Sequence, residues 1–213
     1  MDSSIKIILT IILPIMIILS VAYGAAHFTK ESTLASEYEY EVVINPDGDI
    51  SNVSLEVPFP SNLTEGTFSN PRGWTIGVYE DDNILLIEAD HIYSGSNSSL
   101  SLSMRTDEEI DTRQPIENEI VLDRKANYTE TDCESTDIEP EKCYNYDHTG
   151  TLKIIYESDE EVEIEIYIEL SGMNRWWMLG DMENQYFDSL SVNVKSPSEY
   201  SAEGELKTGI GDY

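Results

Sequence analysis

From residue 37 onward apolar and polar residues alternate with a period of two, the pattern of strands with one face on a core and one in solvent. The clearest run is Glu161 to Leu170. Val162, Ile164, Ile166, Ile168 and Leu170 point one way, and Glu161, Glu163, Glu165, Tyr167 and Glu169 point the other. Glu37–Ile44, Asn52–Val57, Leu100–Arg105 and Ser189–Lys195 alternate likewise. Further strands are predicted at Trp74–Tyr79, Ile84–Ala89, Leu152–Tyr156, Arg175–Leu179 and Tyr200–Leu206, separated by turn chemistry such as Asn45-Pro46-Asp47-Gly48-Asp49 and Ser171-Gly172. About ten short strands and no later helical period predict an all-β domain, a β-sandwich, over residues 37–213. Residues 106–142 are charged and turn-rich and read as a long loop excursion with a small strand near Ile120–Leu122; a domain boundary there is the alternative.

The front of the chain obeys a different rule. Ile7 to Ala26 is apolar except for Thr10, Pro14 and Ser20. Twenty helical residues rise about 30 Å, the thickness of a bilayer's hydrocarbon core. Residues 1–26 therefore read as a transmembrane signal anchor, with 27–36 as a short linker. A secretory signal cut after Gly24 or Ala26 is the alternative, although the run exceeds the usual length of a signal peptide's apolar region. Only Lys6 and the free amine mark the short flank, so the charge rule for orientation is weak.

Composition adds the environment. The 213 residues hold 12 Lys and Arg against 42 Asp and Glu, a formal net charge of -30. Such a surface repels phosphate and excludes ordinary nucleic-acid binding. It also repels itself, and high salt relieves that repulsion, which points to a saline setting. Two cysteines, Cys133 and Cys143, lie close together and can form a disulfide outside the cytosol; a pair of free thiols is the rival reading. Four acceptor patterns for N-glycosylation occur at Asn52, Asn62, Asn97 and Asn127. About two are expected by chance from the frequencies of Asn, Ser and Thr. Both features agree with an extracellular domain.

Candidate chemistry is sparse. His27, His91 and His148 are the only histidines, and Asp90 and Asp147 precede two of them, but sequence neighbours on a strand point to opposite faces. No nucleophile elbow, phosphate loop, zinc helix or dinucleotide fingerprint is present, so no catalytic residue and no cofactor are expected. Asp47, Asp49, Asp81 and Asp82 offer oxygen ligands on turns and are weak calcium candidates, without the spacing of a calcium loop. Trp176 and Trp177 are adjacent. In a strand one ring enters the core, and the other faces out as a candidate interface anchor or sugar platform.

Several segments together resemble uncharacterised membrane-anchored surface proteins of salt-loving archaea: Glu39-Tyr-Glu-Val42, Asn52 through Pro60, Gly73-Trp74, Ser171 through Trp176, Asn184-Gln-Tyr186 with Asp188, and Gly204-Glu-Leu with Gly209 through Tyr213. The resemblance implies an archaeal envelope location and brings no activity. The expected protein is a non-catalytic, membrane-anchored envelope protein, single-pass with its C-terminal domain outside, structural or adhesive through protein or glycan partners. The alternatives are a ligand-binding accessory subunit of a transporter or sensor and, behind it, an extracellular hydrolase.

Overall fold

The computed structural model describes residues 12–96, 98–131, 144–178 and 180–213. Helix α1 spans Leu13–Thr33 and is the one described helix long and apolar enough to cross a membrane; its apolar window is buried nowhere in the protein. It runs past the predicted end at Ala26 and ends against Leu34, whose amide donates to Lys30 O at 2.9 Å. The first strand starts at Ala35. A single extended residue therefore stands where a linker over 27–36 was expected.

The remainder is all-β, as the alternation predicts. The strands are β1 (Ala35–Pro46), β2 (Ile50–Pro58), β3 (Thr67–Ser69), β4 (Trp74–Tyr79), β5 (Ile84–Ile92), β6 (Ser98–Thr106), β7 (Thr129–Thr131), β8 (Tyr144–Glu157), β9 (Ile164–Trp177), β10 (Asp181–Val194) and β11 (Ser198–Gly211). All pairings are antiparallel and form one continuous sheet in the order β3-β6-β1-β9-β10-β11-β8-β2-β5-β4, with β7 beside β8. The sheet curls over itself. Tyr40 of β1 donates its hydroxyl to Pro58 O of β2 at 2.9 Å and meets Phe59 edge-on at 5.3 Å. Those two strands are five places apart in the sheet, so they touch only if its halves face each other. A register shift between Gln185 and Phe187 marks a bulge where β10 passes to β11, a device that sharpens bending.

The core lies between the halves. Tyr40, Val42 and Ile44 of β1 meet Ile164, Ile166, Ile168 and Leu170 of β9 there, and Leu55 and Ile154 line the opposite half, all fully buried. Two expectations need correction. Arg175–Leu179 is no separate strand: β9 runs through Ser171-Gly172, because the side chain of Tyr186 covers Gly172 from β10 and the ladder is unbroken there. Ile120–Leu122 is no strand either. It is buried coil inside the excursion, held by bonds to side chains rather than by a ladder.

The part of the excursion around the one-turn helix α2 (Pro115–Asn118) is bonded to β9, β10 and β11. Asn174 acts as a substitute backbone for it, donating to Ile110 O at 2.8 Å and accepting from Ile110 N at 2.9 Å. Thr112 O accepts from Gly209 N, and Tyr186 donates its hydroxyl to Ile120 O. These groups are buried, so each unmade bond would carry a desolvation cost of about 1–3 kcal/mol.

Candidate functional site

Two arrangements stand out: a buried polar pair and an open cleft. The pair is His148 on β8 and Asp188 on β10. Nε2 of the imidazole lies 2.7 Å from Oδ1 of the carboxylate, and both side chains have no exposed surface. The two strands are not neighbours, for β11 runs between them. Gly204 of β11 faces His148 in register, and a Cβ there would lie 2.6 Å from Cε1 and Nε2 of the ring. The imidazole therefore crosses β11 over a glycine to reach Asp188. The second carboxylate oxygen accepts from Leu122 N at 2.8 Å, which ties the excursion to the same centre. Tyr128 leans over the ring at 4.9 Å, and its phenol is pushed up by burial and by the nearby Asp188 carboxylate. Nδ1 of His148 has no hydrogen-bond partner among the described residues.

A histidine, a carboxylate and a tyrosine in contact suggest acid–base chemistry on paper. A general base must reach the proton it abstracts, and this pair is sealed from solvent. The arrangement instead closes the core: a buried polar group needs a partner, and Nε2 of His148 and Oδ1 of Asp188 supply each other's.

The cleft has a volume of about 490 Å³. Its floor is apolar, from Val57, Ile84, Ile120, Leu122 and Leu152. Arg124, Lys125 and Lys153 stand on its walls together with Glu56, Asp82, Asp123 and Glu199. Three of the chain's 12 cationic residues thus meet at one place. Lys153 pairs with Glu56 at 3.1 Å, and Arg124 donates to Glu119 O at 2.9 Å. The size suits a small ligand, but His148 and Asp188 do not line it.

The residues singled out in the sequence are scattered. His27 lies on α1, 3.4 Å from Glu31, and His91 stacks on Tyr93 at the surface of β5. Asp47 accepts from Glu163 N at 2.8 Å and Asp49 from Ser94 N at 2.9 Å, so both carboxylates fasten their turn. Asp81 and Asp82 are exposed in the β4–β5 turn. No group of three or more metal-ligating side chains is gathered among the described residues. Asn52, Asn62 and Asn127 are exposed; Asn52 has a positive φ of 49° and donates to Glu157 at 2.8 Å, while Asn62 lines the cleft. Asn97, Cys133 and Cys143 lie outside the described residues. Trp176 is buried under Lys30, whose Nζ sits 4.8 Å from the ring centroid, and Trp177 is half exposed.

Reading the sequence named Asp188 only within the resemblance and missed its pairing with His148. The signal was present: Asp188 occupies an inward position of the same alternation as Leu190, a charged residue where the pattern demands an apolar one. The chain matches no family model, no curated protein and no solved structure.

Proposed function

We propose that the protein is a non-catalytic component of the cell envelope, anchored in the membrane by α1 with the β domain outside and serving a structural or adhesive role. One observation carries the reading: the domain is bolted to its helix rather than tethered. Lys30 pairs with Glu109 at 2.6 Å and covers Trp176, while Trp177 N donates to the Thr33 hydroxyl at 2.9 Å. A mount of this kind fixes the domain's orientation over the membrane, which suits a load-bearing or contact surface. The exposed positions of Asn52, Asn62 and Asn127 are compatible with glycan attachment. The acid-rich strand faces suit a saline exterior.

Cross-linking in intact cells at native salt, followed by purification and mass spectrometry, tests the role. Recovery of surface-layer protein, or of further copies of the chain, is the expected result. A single recurrent transporter or sensor subunit would sink it in favour of the second reading, an accessory binding subunit, for which the cleft between β2, β8 and the excursion is the specific observation.

A further inference from the structure

The base of the β domain beside α1 is the surface that the bolted mount leaves pointing at the bilayer. We propose that the tip of the β9–β10 hairpin, through Trp177 and Met178, rests in the lipid headgroup layer as a second membrane contact. This rests on α1 spanning the membrane.

The placement follows from heights along the helix. The apolar run ends at Ala26. Lys30 lies four residues further and Thr33 seven, so they stand about 6 and 10 Å above the hydrocarbon edge at 1.5 Å per residue. The headgroup layer is about 5–8 Å deep on each side. Trp176 touches Lys30 with its ring, and the backbone of Trp177 is bonded to Thr33. The end of β9 is therefore held just outside that layer, within a tryptophan ring's reach of it.

The side chains present there fit. Trp177 is 50% exposed and Met178 37%, on a sheet whose other outward positions are mostly polar. An interface offers such a ring an apolar body and a wet edge. Phe28 on α1 and Tyr213 stand at the same end and are exposed as well. Tyr213 is placed there by its hydroxyl contact with Thr112 and by Arg113 stacked at 3.7 Å, in the segment that follows Glu109. The cations at this end are matched by carboxylates, Lys30 by Glu109 and Arg175 by Glu183, so the contact is one of rings with a neutral or zwitterionic interface, not of a basic patch with anionic lipid.

The test uses the full chain reconstituted in phosphatidylcholine vesicles at high salt and recovered by flotation. One vesicle set carries a nitroxide on the headgroup, another bromine midway along the acyl chains. The headgroup label is expected to quench a component of the tryptophan emission that disappears in Trp177→Phe and persists in Trp74→Phe, while the bromines quench it far less. Trp177→Phe keeps the backbone bond to Thr33 and removes only the exposed ring. Equal headgroup quenching of the native chain and Trp177→Phe overturns the proposal, and so does bromine quenching as strong as that from the headgroup. A chain that does not float with the vesicles refutes the anchoring itself, a different failure.

Discussion

Gly204→Ala probes the centre of the domain with one carbon atom. The new Cβ would lie 2.6 Å from Cε1 and Nε2 of His148 and 2.7 Å from Cδ2 of Leu190. Carbon contacts settle at about 3.5–4.0 Å, so the ring must retreat by roughly 1 Å. That stretches the 2.7 Å bond to Asp188 past hydrogen-bonding distance. Overpacking alone costs about 1–3 kcal/mol. Leaving a buried carboxylate short of its partner costs about 3–5 kcal/mol, and the two terms overlap because the same ring moves. The alanine returns about 0.5 kcal/mol by restricting the unfolded chain. A net loss of about 3–5 kcal/mol is expected, read from urea unfolding in detergent by tryptophan emission. His148→Ala removes the clashing ring and leaves only the end of the flexible Leu190 side chain to give way into the vacated space, so adding Gly204→Ala to it should cost no more than about 1 kcal/mol further, a coupling of several kcal/mol between the two sites. A loss below about 1 kcal/mol for Gly204→Ala, or costs that simply add, would refute the crossing of β11 as the reason for the glycine.

Other consequences are open to direct measurement. Burial raises the phenol pKa of Tyr40 and of Tyr186 above the ordinary value of 10, so the folded state holds their protons longer than the unfolded state. Their contribution is whole below pH 10 and falls as pH rises beyond it, by about 1.4 kcal/mol per pH unit for each; urea midpoints that stay flat between pH 9 and 11 would contradict this. Glu41 faces Glu169 across β1 and β9, and Asp147 faces Glu205 across β8 and β11. Like charges directly opposed destabilise, so the melting temperature should climb between about 0.1 and 2 M salt. Glu41→Lys should raise stability by about 0.5 kcal/mol at low salt and by less at high salt; an unchanged melting temperature across that range ends the saline reading.

The long strands were legible because each has one buried and one wet face, whereas the three-residue strands β3 and β7, which bury no side chain, were not. In β9 the isoleucines and glutamates alternate so regularly that the inward set could be written down residue by residue. Strand length was not legible. Ser171-Gly172 has the chemistry of a turn, but the Tyr186 ring occupies the space above Gly172 and the ladder continues. The excursion was visible as a break in the alternation, while its order was hidden, since it is held by distant side chains such as Asn174 and Asp188. The buried pair escaped for a related reason. Sequence adjacency offered Asp147 to His148, and the true partner lies 40 residues away across an intervening strand. The cleft, formed between β2, β8 and the excursion, had no local signature at all.

The most direct test of an anchored domain facing outward is carbonate extraction of membranes combined with protease treatment of intact cells. Expected is retention of the chain in the carbonate-washed membrane and its loss to protease added outside, with the segment around Leu13–Thr33 left protected. Release by carbonate, or digestion only after the cells are broken, would contradict it.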